Sequence, residues 1–154
     1  MRRQPTSRMC FVCGRENPVG LRLAFYEDSA ANEVRADVVI PDRFQGYPGV
    51  VHGGIVSTIL DEVSGRAVML QEGDERLMAT RRITVQFRRP TPTDTPLTAV
   101  GWVEQVSGVG ARVAGEIRLP DGTVTADCKS LLAEPPASFK EGWESEKPYW
   151  GVPD

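Results

Sequence analysis

His52-Gly53-Gly54-Ile-Val-Ser-Thr-Ile-Leu-Asp61-Glu-Val-Ser-Gly65, running on through Arg66 to Gln71, decides the fold of this chain. Apolar residues stand at Ile55, Val56, Ile59, Leu60, Val63, Ala67, Val68 and Leu70. That is helical spacing with a wide stripe, so the segment reads as one long helix, buried along most of its length. Gly73-Asp74 ends it. Gly65 interrupts it, at roughly 1 kcal/mol relative to Ala unless close packing demands a glycine. The two glycines at the start leave backbone N–H groups bare where the helix macrodipole favours negative charge. Asp61 follows, set among Ile59, Leu60 and Val63, and the single histidine of the chain stands at the opening turn. An anion cradle and a carboxylate are the two halves of a hydrolytic site.

On either side of the helix the sequence alternates. Leu21 to Glu27 and Glu33 to Ile40 read as strands paired about a turn at Asp28 to Asn32, and Pro41 to Gly49 is a loop leading into His52. Downstream, Met78 to Arg89, Leu97 to Ser107, Ala111 to Leu119 and Thr123 to Ala133 are strand-like. Turn formers separate them, Pro120-Asp121-Gly122 being a hairpin signal. Two strands, one helix and four strands give an α+β architecture, one helix wrapped by an antiparallel sheet. Pairing between protomers would cover its exposed edges. Residues 1–20 form a lead-in, 21–134 the domain, and 135–154 a charged tail with Trp143, Tyr149 and Trp150.

Composition narrows the function. The 154 residues, 40% hydrophobic and 25% charged, suit one globular domain. A net charge of -3 gives no footprint for nucleic acid, and no long basic run suggests a membrane surface. No apolar run approaches the ~20 residues that span a bilayer. The basic start lacks the apolar region of a secretory signal, and three cysteines make no disulfide framework. The expectation is a cytoplasmic protein.

Asp61 lies roughly 10–12 Å along the helix axis from the Gly53 and Gly54 amides. A carboxylate and an oxyanion cradle serving one carbonyl must each come within about 3 Å of it. Either one of the two plays no part, or two chains build the site, with Asp61 facing the His52-Gly53-Gly54 turn of a neighbour. The plain alternatives are a surface acid beside Glu62, a histidine that merely starts the helix, and a simple glycine turn. Ser57 and Ser64 lie outside any nucleophile elbow, which speaks against a serine hydrolase. Cys10-x-x-Cys13-Gly is half of a zinc knuckle without the other half, so the expectation is no metal and no cofactor, with the cysteines filling an apolar pocket. Arg81, Arg82, Arg88 and Arg89 bracket the third strand. Alternation puts Arg81, Ile83, Val85, Phe87 and Arg89 on one face and Arg82, Thr84, Gln86 and Arg88 on the other. They are either a solvated face or a cationic patch for a phosphate-bearing substrate.

The segment Phe44-Gln-Gly-Tyr-Pro-Gly-Val-Val-His-Gly-Gly54…Asp61, with Ala79-Thr-Arg-Arg-Ile-Thr-Val-Gln-Phe-Arg-Arg-Pro90, resembles the hotdog-fold acyl-CoA thioesterases of the PaaI-like group. The resemblance covers roughly residues 20 to 134. It implies a hotdog fold, a long central helix in a curved antiparallel sheet. It also implies an enzyme that hydrolyses the thioester of acyl-coenzyme A, working as a homodimer or a dimer of dimers. On this resemblance the amide of Gly53 polarises the carbonyl, and Asp61 of the opposing protomer is general base or nucleophile. His52 orients the thioester or shapes the helix start, and Thr80 positions water or the carboxylate. Gly54, Gln45, Arg81, Arg82, Arg88 and Arg89 are the matching candidates for substrate binding. The sequence departs from some relatives at Gly46, where they carry Asn, and Gln45 stands beside it. That departure keeps alive a second reading, a hotdog module that binds acyl-CoA or another small acyl ligand without turnover.

Overall fold

The structure is a computed structural model describing residues 1–154. Its elements are β1 (Arg2–Arg3), β2 (Tyr26–Asp28), β3 (Glu33–Val39), α1 (Gly53–Glu72), β4 (Ala79–Phe87), β5 (Pro96–Val106), β6 (Gly110–Arg118), β7 (Val124–Ala133) and α2 (Ala137–Glu146). One antiparallel sheet runs in the order β1-β2-β3-β5-β6-β7-β4 and wraps α1, the hotdog arrangement. No helix is long and apolar enough to cross a membrane.

The helix forms where its stripe predicts. Val56, Ile59, Leu60, Val63, Ala67, Val68 and Met69 are buried, and Gly73, at φ +96°, ends it in a conformation that favours glycine. Each of these side chains except Ala67 stabilises the fold by roughly 1.5–3 kcal/mol through removal from water. The helix approaches the sheet most closely at Gly101, which faces Gly115 across β5 and β6. A Cβ on Gly101 would stand 2.3 Å from the Val63 carbonyl oxygen, and one on Gly115 3.5 Å from the Ser64 Cβ. The backbone of α1 lies in the shallow channel these residues leave. At Gly65 the opposite holds: nothing lies within 4 Å of an added Cβ, so no close packing requires this glycine.

Two expectations are corrected. The strand read over Leu21 to Glu27 shrinks to Tyr26–Asp28. Arg22 adopts φ +53°, and the amides of Leu21 and Leu23 donate to the carbonyls of Phe11 and Val12. The lead-in thus takes the hydrogen bonds that a neighbouring strand would have used. On β4, strict alternation fails at a bulge: Thr80 pairs with Leu132 and Arg82 with Leu131, leaving Arg81 as the extra residue. Thr80 therefore turns toward α1, on the same side as Ile83, where unbroken alternation would send it outward.

The lead-in and tail pack on the rest. Gln4, Val12 and Cys13 are buried, and the Thr6 and Gly151 backbones exchange hydrogen bonds of 2.9 and 3.3 Å. Arg15 holds the same junction, donating to the carbonyls of Thr6, Tyr149 and Gly151.

The two glycine environments predict opposite signs. Gly101→Ala should destabilise the protein by about 2–3 kcal/mol, because the helix must lift off the sheet. Gly65→Ala should stabilise it by about 0.5–1 kcal/mol. Urea unfolding of both variants checks this, and a neutral Gly101→Ala would rule out the channel as a constraint.

Candidate functional site

His52 is the N-cap of α1: its Nδ1 accepts a hydrogen bond from the Gly54 amide at 2.9 Å. This satisfies one of the bare N–H groups and takes the Gly54 amide away from any ligand. The Gly53 amide, first in the helix, keeps no partner within the chain. No acidic side chain sits in the first turn to neutralise it. Ser57 and Thr58 spend their hydroxyls on the carbonyls of Gly53 and Gly54, which leaves no serine near His52 to act as a nucleophile.

Asp61 stands two turns further on. Its Oδ1 accepts a 2.7 Å hydrogen bond from the Thr80 hydroxyl, the contact made possible by the bulge at Arg81. Asp61 and Thr80 share a cavity of about 400 Å³ that also receives Glu62, Gly65, Met78, Phe139, Trp143 and Trp150. His52 and Gly53 instead line a separate groove of about 710 Å³ with Tyr47, Phe87, Arg88 and Arg89. The two halves of the candidate site thus open onto different hollows of one chain.

The four arginines do not form one patch. Arg81 and Arg82 line a third groove with Arg112, while Arg88 and Arg89 flank the hollow at Gly53. Arg88 is paired with Asp127, which raises its already high pKa. Gln45 is exposed on the loop, bridged to Val51 through its backbone.

Several features of the cavity escaped the sequence reading. Arg66, read only as part of a helix, is buried. It donates to Glu62 at 2.8 Å and to the Pro5 carbonyl at 2.9 Å, and stacks over Phe25 at 4.4 Å. Loss of water pushes the Glu62 carboxyl up, against the pull of Arg66. The tail aromatics fold onto their own chain: Trp150 donates to the Asp74 carbonyl, packs edge-on to Trp143, and both line the cavity. Cys10 and Cys13 reach the same cavity, as free thiols rather than as filler of an isolated pocket. The Cys10 thiol and the Arg66 charge pull Cys13 toward the thiolate, with Cys10 as the proton-bearing partner. Glu62 brings a carboxylate oxygen to these two sulfurs, all three donors within 4.8 Å of one another. The adjacency of Glu62 to Asp61 was visible in the sequence, but its proximity to residues about fifty positions upstream was not.

Known proteins resemble this chain to different depths. The mouse acyl-coenzyme A thioesterase THEM4 is 26% identical over 106 residues, 69% of this chain and 41% of its own length. The chain thus spans about two-fifths of that relative. A solved thioesterase superfamily protein is 33% identical, with a TM-score of 0.74, covering 82% of this chain and 63% of the other. The PaaI protein of the Escherichia coli phenylacetic acid degradation operon shares the fold, with a TM-score of 0.66 at 16% identity, over 75% of this chain and 81% of its own. The family model described as the thioesterase superfamily matches residues 48–126, from the loop before His52 to the start of β7, and the chain belongs to that superfamily.

Proposed function

We propose that the chain hydrolyses the thioester of an acyl-coenzyme A, with the reaction centre built across two copies. The observation that carries this is the Thr80–Asp61 hydrogen bond of 2.7 Å beside a partly apolar cavity, on the same helix as an unpartnered Gly53 amide roughly 12 Å away. Thr80 occupies Oδ1 and leaves Oδ2 of Asp61 to take a proton from water or to attack the carbonyl carbon. The thioester oxygen, becoming negative, lies against the Gly53 amide of a second copy, at the positive end of its helix. The carbon–sulfur bond breaks, coenzyme A leaves with its thiol, and the acyl group leaves as the free acid. Arg88 and Arg89, beside the same amide, suit the phosphates of the coenzyme.

A second copy is supplied through β4. Its outer edge is free, pairing only with β7, and Thr80, Arg82, Thr84 and Gln86 along it are exposed. Antiparallel pairing of two β4 edges would continue the sheet and set two α1 helices side by side in opposite directions. The mouse relative, an acyl-coenzyme A thioesterase by name, supports the choice of thioester. The rival reading, binding without turnover, rests on Gly46. It has no side chain to hold a water, and its amide is engaged by the Val50 carbonyl.

Asp61→Asn should lower turnover of an acyl-CoA panel by about 10²–10⁴-fold, and Thr80→Val by about tenfold. Free-thiol release is the readout, and unchanged rates in Asp61→Asn would exclude the mechanism.

Gly53→Pro isolates the amide. Proline is well accepted at the first position of a helix, and His52, at φ -56° and ψ 135°, already suits a following proline. Both this variant and Asp61→Asn should be inactive alone. Mixed after unfolding and refolding, they should regain roughly a quarter of wild-type activity, since half the dimers are mixed and each keeps one intact site of two. Absence of recovery would rule out a two-chain centre.

A further inference from the structure

We propose that Cys10, Cys13 and Glu62 form a zinc site whose remaining coordination position opens onto the cavity holding Asp61 and Thr80. The three donor atoms already converge within 4.8 Å of one another. Tetrahedral zinc, with bonds of about 2.3 Å to sulfur and 2.0–2.2 Å to oxygen, sets neighbouring donors roughly 3.5–3.8 Å apart. Closing on the ion therefore asks each donor for a shift well under ~1 Å.

The turn that presents the sulfurs is already shaped for the purpose. The Val12 amide donates to Cys10 Sγ at 3.3 Å, and the Gly14 amide donates to the Cys10 carbonyl at 2.8 Å. A Cβ on Gly14 would stand 2.4 Å from that carbonyl oxygen, so the turn is closed too tightly for any other residue. Both sulfurs are free of disulfides, and Cys13 Sγ lies 3.7 Å from the Ser7 hydroxyl.

Glu62 is held as a metal-binding carboxylate is usually held. Arg66 Nε fixes its Oε1 at 2.8 Å and leaves the second oxygen to an ion. Arg66 is itself anchored by the Pro5 carbonyl and the Phe25 ring. Two thiolates and a carboxylate against one guanidinium leave a net charge of -2, the complement of a divalent cation. Two sulfurs in the set select zinc over magnesium or calcium. Closed structural sites use four protein ligands, whereas three ligands and an open position leave room for water or a substrate atom. Here the opening is the cavity of about 400 Å³ that Asp61 also lines.

The test reads metal rather than turnover. The full chain, stripped with a chelator under reducing conditions, is incubated with zinc or with cobalt(II) and dialysed. One zinc per chain is expected by elemental analysis. The cobalt form should show thiolate-to-metal charge-transfer absorption and the intense ligand-field bands of tetrahedral coordination. The Cys10→Ser/Cys13→Ser variant should bind neither ion, and Glu62→Gln should bind zinc at least about tenfold more weakly while keeping the charge-transfer band. Because those variants alter a buried cluster, the wild-type protein gives a second measurement. Titrating its thiols with an organic mercurial should release the bound zinc in step, read with a metal-sensitive dye. Substoichiometric zinc, absence of the cobalt bands, zinc that survives thiol blockade, or a Cys10–Cys13 disulfide formed in excess zinc would each overturn the site.

Discussion

The backbone of α1 rests on the bare backbone of Gly101, and the reach of Asp61 to β4 follows from that approach. With Gly101 and Gly115 facing each other across β5 and β6, the helix sinks until the Val63 carbonyl touches the sheet. A helix standing one methyl group higher would carry Asp61 away from β4, and a 2.7 Å hydrogen bond has little tolerance for that. The apolar stripe stabilises the docking, but Gly101 decides how near the helix can come.

The strand opposite Asp61 is adjusted by one residue. A regular β4 would present Arg81 to the helix and Thr80 to solvent. The bulge reverses this and gives the carboxylate a neutral donor instead of a cation. The choice has chemical weight, because a guanidinium at that point would hold the carboxylate in an ion pair and weaken it as a base. The hydroxyl occupies one oxygen and leaves the other without a hydrogen-bond partner.

The long helix, the four strands after it and the N-terminal turn at His52 were legible because each is written as a local period or a local turn. So was the impossibility of joining Asp61 to its own helix start, which needs only the rise of a helix. The bulge at Arg81 was not, since nothing in Thr80-Arg81-Arg82 departs from an alternating strand. The misread strand over Leu21 to Glu27 has a similar cause: its pattern was correct, but Phe11 and Val12 compete for its amides from outside the window. Long-range polar contacts were the least visible. Glu62, Arg66 and the two cysteines meet only because the lead-in crosses the helix, and no periodicity encodes that crossing.

The junction of Thr6, Arg15, Tyr149 and Gly151 makes the chain a hydrogen-bonded ring. The segments it fastens, with Trp143 and Trp150 on one side and Cys10 and Cys13 on the other, are walls of the cavity at Asp61. Polar contacts tie them to each other across the junction. Val12 and Cys13 also belong to the apolar core that embeds α1, so the wall on the lead-in side is fixed by packing as well as by the junction. The surroundings of Asp61 are thus assembled from three stretches far apart in the sequence, and a substitution at the Thr6–Gly151 junction bears on the shape of a cavity it does not line.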